Sequence, residues 1–127
     1  MPLTETTGAV GPDPAAVLTK AVLRAAEQLG VSALLLGTMI GLSGPSISRM
    51  KRGAFQLSQG SKPFELGVLF IRLFRSLDAI TGGDAAVARA WLRSPNNALG
   101  ASPLEKMQTI AGLMDVIGYL DARRAVL

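Results

Sequence analysis

Cysteine and histidine are both absent from the 127 residues. Their absence removes disulfides, thiolate nucleophiles, the commonest general base and the usual soft metal ligands. The carboxylates, serines and lysines that remain are scattered, and Gly82-Gly83-Asp84 lacks the preceding strand and the lysine spacing of a phosphate-cradling loop. No catalytic residue, metal site, cofactor or small-molecule substrate is expected, and the protein is not expected to be an enzyme. Long apolar runs are missing as well. The longest, Leu34 to Leu42, is interrupted by Gly37 and Thr38 and falls far short of the roughly 20 residues of a membrane span. The N-terminus has no cationic start followed by an apolar stretch, so the expected location is the cytoplasm, without membrane association. Aromatic residues are only 5% of the chain, and no segment alternates polar with apolar residues. With no strand signal the expected fold class is all-α.

Hydrophobic residues make up 49% of the sequence against 17% charged, which excludes disorder for most of it. This length suits one compact domain or two small helical units sharing a core. The positive mean hydropathy suggests apolar surface beyond what such a core needs, and so a protein partner. A net charge of +4 says little by itself, but Arg49, Lys51, Arg52 and Lys62 follow one another with no acidic residue between them. The later half is diluted by Asp78, Asp84, Glu105, Asp115 and Asp121.

The chain divides into a tail and two helical units. Residues 1–12 are small, polar and rich in breakers, and are expected to form a flexible tail. Asp13 and Pro14 start a first helix that carries Leu18, Val22, Ala25 and Leu29 and stops at Gly30. Ser32 caps a second that stops at Gly41, and Ser43 caps a third, with Pro45 in its first turn, that ends at Gly53. A polar stretch from Gln56 to Lys62 follows. Pro63 then opens a long helix whose stripe of Leu66, Phe70, Leu73, Leu77 and Ile80 is widened by Leu69 and Phe74. Asp84 caps a shorter helix with Val87 and Trp91, which Ser94-Pro95-Asn96-Asn97 ends. Ser102, Pro103 and Glu105 form an S-x-x-E capping box, from which one last helix should run to about Arg123. Residues 13–62 thus form one unit and residues 63–127 a second.

Between Ser32 and Arg52 the residue pattern fits a helix-turn-helix. Gly37 is small where the two helices must approach, Gly41 can take the positive φ of the turn, Leu42 plugs beneath it, and Ile47 and Met50 turn one face inward. Advancing about 100° per residue from Ile47 puts Ser43 and Gly44 near the buried side, Ser46 on the flank, and Pro45, Ser48, Arg49 and Arg52 outward. Hydroxyls and arginines on such a face suit a major groove, with Lys51 and Lys62 meeting phosphate. The candidate DNA-binding residues are Ser43, Pro45, Ser46, Ser48, Arg49, Lys51 and Arg52; the competing reading of Arg49 and Arg52 is a solvated face of an ordinary bundle. This pattern resembles the helix-turn-helix of Xre-family, phage-repressor-like regulators.

The order Ala90-Trp91-Leu92-Arg93-Ser94-Pro95-Asn96-Asn97-Ala98-Leu99-Gly100, then Pro103-Leu104-Glu105, Gly112 and Val116, resembles the toxin-binding domain of the Xre/MbcA/ParS antitoxins. Together the two resemblances span roughly Leu18 to Leu120. They imply an antitoxin that binds a cognate toxin, typically a RES-domain enzyme that depletes NAD, covers its active site with the C-terminal region, and represses the shared operon by binding operator DNA. Ala101, where a second glycine is frequent, and a C-terminal tail without the usual glycine depart from the pattern. Trp91, Pro95, Asn96, Tyr119, Arg123 and Arg124 are the candidate toxin contacts. Trp91, Pro95 and Asn96 also have a scaffolding reading, as an anchor for the short helix and a turn. The last helix carries two apolar stripes, Met107, Ile110, Met114 and Ile117 on one side and Leu113, Val116 and Leu120 on the other, so that one could meet the core and one a partner. The wide stripe from Leu66 to Ile80, and the two-fold symmetry of most helix-turn-helix readers, suggest a homodimer. A free-standing repressor with a dimerisation or ligand-sensing second half, or an adaptor that never touches DNA, are the competing readings.

Overall fold

Residues 11–125 are described by the computed structural model; all but the last two residues of the expected tail lie outside them. The described residues form seven helices: α1 Pro14–Gln28, α2 Ala33–Ile40, α3 Gly44–Lys51, α4 Lys62–Ile80, α5 Ala85–Arg93, α6 Pro103–Lys106 and α7 Ile110–Ala125. Among the described residues the only β pairing is an isolated bridge between Asn96 and Ala101, so the fold is all-α as expected.

Local chemistry accounts for most of the helix starts. Asp13, Ser32, Ser43, Ser61, Asp84 and Ser102 each accept an amide hydrogen bond from the first turn that follows, and proline stands in that turn in α1, α3, α4 and α6. Ser102 and Glu105 make the reciprocal capping box. Gly41 closes α2 at φ 78°, the left-handed geometry that the short turn into α3 requires.

The long helix α4 is the spine. It packs against α1 and α2 on one side and against α7 and α5 on the other. Leu66, Phe70, Leu73 and Leu77 are buried and belong to one continuous core with Val22, Leu29, Ile40 and Ile47 from the first unit and Leu92, Leu113, Val116 and Leu120 from the second. Much of the apolar stripe that suggested a dimer face is therefore covered within the chain.

Two segments differ from the sequence expectation. The stretch from Gln56 to Lys62 is not wholly polar surface: Leu57 is completely buried. The buried Thr19 hydroxyl accepts from the Leu57 amide at 2.9 Å and donates to the Ala15 carbonyl at 2.6 Å, so the loop after α3 is pinned to α1 at both backbone and side chain. Burying a leucine stabilises by about 1.5–3 kcal/mol, enough to fix a loop that propensity leaves open.

The last helix is likewise not single. It breaks after Lys106 and restarts at Ile110, where the Thr109 hydroxyl accepts from the Gly112 amide at 3.0 Å. A Cβ on Gly112 would collide with the Lys106 carbonyl oxygen, so only glycine lets α7 begin this close to the end of α6. The Lys106–Asp115 ion pair at 3.0 Å spans the elbow. The break dissolves the first expected stripe: Met107 and Ile117 are buried, whereas Ile110 and Met114 are exposed. Leu113, Val116 and Leu120 face the core as expected.

Candidate functional site

The turn between α2 and α3 is built on Gly37. A Cβ there would collide with the Leu42 carbonyl oxygen, and the Leu42 amide donates to the Gly37 carbonyl at 2.8 Å. Ile47 and Met50 are buried beneath α3, which fixes its rotation. Pro45, Ser48, Arg49, Lys51 and Arg52 are consequently exposed, and Ser46 is half-buried on the flank. Ser43 is exposed at the N-cap rather than near the buried side, because its side chain caps the helix from outside it.

A short chain of polar contacts orders this surface. Ser43 Oγ caps the Ser46 amide at 3.2 Å and lies 3.1 Å from Ser46 Oγ, and Arg49 Nη2 donates to Ser46 Oγ at 2.9 Å. The Arg49 guanidinium also sits 5.9 Å from the centre of the Phe55 ring, a cation–π contact from the loop after α3. These two contacts orient the Arg49 guanidinium and leave most of its donors free. Sequence patterning offers no signal for Phe55, because cation–π partners in a loop have no period. Lys62 pairs with Glu65 at 3.1 Å, and most of both side chains is exposed.

In the second unit, three of the candidate toxin-contact residues come together. Trp91 on α5 stacks on Tyr119 of α7 with ring centres 6.1 Å apart and planes 23° from parallel. Arg123 lies 5.6 Å from the Tyr119 ring centre and donates to its hydroxyl at 3.3 Å. The three line a concave groove of about 190 Å³ whose walls include Leu77, Ile80, Val87 and Leu120. Val87, half exposed, stands at this groove. Trp91 is half-buried and packs against the core, while Ala88 and Leu92 are the fully buried residues of α5.

The remaining three candidates lie elsewhere. Arg124 donates to Ser76 Oγ at 3.2 Å beside the Arg72–Asp121 ion pair, and lines a different hollow with Leu18, Val68 and Arg75. Pro95 is exposed in the loop after α5. Asn96 organises that loop: its side chain accepts from the Leu99 amide at 3.1 Å, and its carbonyl accepts from Gly100 at 2.9 Å. Those bonds are the turn chemistry of a scaffold.

The join between the units was invisible in the sequence. Arg89 Nε donates to the Gln28 carbonyl at 2.8 Å, and Arg93 donates to the carbonyls of Leu29 at 3.2 Å and Gly30 at 2.8 Å. Two arginines of α5 thus satisfy carbonyls left open at the C-terminus of α1, where the helix dipole also favours positive charge.

Comparison with known proteins places these features in a family. Residues 8–72 match the model for the antitoxin Xre-like helix-turn-helix domain, and residues 76–125 match that for the antitoxin Xre/MbcA/ParS C-terminal toxin-binding domain. No curated protein matches the chain. Among solved structures, the fold is similar to a chain in the crystal structure of the M. tuberculosis MbcT–MbcA toxin–antitoxin complex, at 22% identity and a TM-score of 0.63, over 84% of this chain and 92% of that one. Since the helix-turn-helix match alone spans just over half of the residues, the chain belongs to the Xre/MbcA/ParS antitoxin family, with an Xre-like helix-turn-helix followed by the C-terminal toxin-binding domain.

Proposed function

We propose that this protein holds a toxin inactive by direct binding through residues 63–127 and represses its own operon through α3 of the unit formed by residues 13–62. The observation that carries the first half is the groove of Trp91, Tyr119 and Arg123 on a domain whose family model is a toxin-binding one. Aromatic and arginine side chains around an apolar hollow are the composition of protein-interface anchors. The family implies a RES-domain, NAD-degrading toxin, and the solved relative of similar fold was crystallised in a toxin–antitoxin complex. The second half rests on Ser46 and Arg49, ordered on the exposed face of α3 with Ser48 and Arg52 beside them. A homodimer reading two half-sites in the cytoplasm completes the proposal.

The test is co-expression with the product of the neighbouring gene. Growth should be rescued and the two proteins should co-purify, with rescue lost in Trp91→Ala or in a Tyr119→Ala/Arg123→Ala pair. Co-purification and rescue that survive both lesions would remove this groove from the toxin interface.

A further inference from the structure

A second cationic feature lies beside the recognition helix and is not on its outward face. Lys20 and Arg24, one turn apart on α1, and Lys51 at the end of α3 line one hollow of about 470 Å³. Its floor is aliphatic: Ala26, Val31 and Leu36 are buried, and Leu23 and Ala33 are half-buried. The three cations are exposed around it. Glu27 is the one carboxylate in the lining, and it forms no ion pair with any of them. The ion pairs among the described residues are Lys62–Glu65, Arg72–Asp121 and Lys106–Asp115, so these three charges have no ionic partner among those residues.

Long basic side chains lay their stems on apolar surface and keep their heads in water. Three cationic side chains from two helices against the single carboxylate of Glu27 leave this lining with a net positive charge, which favours an anion. A compact, multiply accepting anion fits this better than an apolar ligand. Lys51 also fixes its setting, because it projects from the same helix that carries Ser48, Arg49 and Arg52. Lys51 leaves α3 well round from Arg49, so an anion at this rim lies on the flank of α3 that faces α1.

We propose that Lys20, Arg24 and Lys51 form a phosphate clamp for the backbone of duplex DNA, one flank outside the face of α3 that reads bases. The clamp rests on the DNA-binding reading of α3 and adds to it a contact from α1. Its division of labour is definite. The outward face of α3 discriminates sequence, while the clamp sets register and affinity without discriminating.

The experiment measures binding of the full chain to a duplex from upstream of its own gene and to a scrambled duplex, across a salt series. Each phosphate contact contributes about 0.9 to the slope of log affinity against log salt. A Lys20→Gln/Arg24→Gln pair is expected to lower the slope by about 1.8 and to weaken both duplexes equally, and Lys51→Gln by about 0.9. Arg49→Ala should instead erode the preference for the upstream duplex. If Arg49→Ala erodes that preference but the slope is unchanged in the Lys20/Arg24 variant, the clamp is overturned and the α3 reading stands. If the wild-type chain binds neither duplex, the α3 reading falls and the clamp with it. A weakened variant with an unchanged slope and a lowered melting temperature counts against the clamp, as a folding defect. Inhibition of wild-type binding by inorganic phosphate at millimolar levels, relieved in the Lys20/Arg24 variant, supports it independently of DNA sequence.

Discussion

The two halves of the molecule use their positive charge in opposite ways. Among the described residues, Lys20, Arg24, Lys51 and Arg52 in the first half make no ion pair or side-chain hydrogen bond, and Arg49 is held by a hydroxyl and a ring and not by a carboxylate. From α4 onward, Arg72, Arg89, Arg93, Lys106, Arg123 and Arg124 are engaged with carboxylates, carbonyls or hydroxyls of the chain itself, and Arg75 is the exception, with no such partner among the described residues. Charge left unpaired is available to a polyanion; where charge is tied into the fold, the surface feature that remains is the aromatic and apolar groove. The same residue types therefore point to DNA in one half and to protein in the other, and only their partners tell the halves apart.

Each half also depends on one glycine at a close backbone approach, and this makes the comparison quantitative. Gly112→Ala should have the largest effect, about 3–5 kcal/mol of lost stability, because the clash is with the Lys106 backbone carbonyl and cannot be relieved by a rotamer. Gly37→Ala, against the Leu42 carbonyl, should cost about 2–4 kcal/mol, the overlap being shallower. Urea denaturation measures both. A larger loss at Gly37 would reverse the order and make the turn between α2 and α3, not the elbow, the tighter constraint.

Next in size is Thr19→Val, which keeps the volume but leaves the buried Leu57 amide without its acceptor, at about 1–3 kcal/mol. Like Gly37→Ala it lesions the first half, and both should be felt by DNA binding before toxin binding. Equal loss of both activities would show that the shared core transmits damage across α4.

How far the sequence reveals all this differs by kind of interaction. Five helix starts were legible at Asp13, Ser32, Ser43, Asp84 and Ser102, because a cap and its partner lie within three residues. The pattern around Gly37, Gly41 and Ile47 was legible for the same reason. The elbow at Met107–Thr109 was not, since apolar spacing continues straight through it and the reason for the break is a collision between Gly112 and a carbonyl six residues earlier. Leu57 is a single apolar residue among polar ones, and no period marks it. The groove could be anticipated only as separate residues, because Trp91 and Tyr119 meet through tertiary packing. Arg89 and Arg93 reach carbonyls more than sixty residues away, where charge patterning carries no information.

Those two arginines supply a test of whether the halves are independent. Arg93→Ala removes two charge-assisted bonds to the end of α1 in a partly solvated setting, so about 1–2 kcal/mol is expected, with the Arg89→Ala/Arg93→Ala pair somewhat higher. Unfolding should remain a single transition, since the core through α4 is continuous. Two separated transitions in the double variant would mean that the arginines, more than the core, join the units.

The smallest effect has the opposite sign. Gly118 lies in the middle of α7, exposed, with nothing within 4 Å of where a Cβ would stand. Gly118→Ala should stabilise by about 0.5–1 kcal/mol, because alanine loses less backbone freedom in a helix. It also places a methyl next to Tyr119 on a helix that helps form the groove. A stabilised variant that still protects cells confines the toxin contact to the groove side of α7. A stabilised variant that no longer protects shows the toxin lying closely along α7 at Gly118, since a folding defect cannot explain a loss that accompanies a gain in stability. The second outcome would extend the proposed interface beyond Trp91, Tyr119 and Arg123, and would give this glycine a reason to be in a helix that otherwise has no use for it.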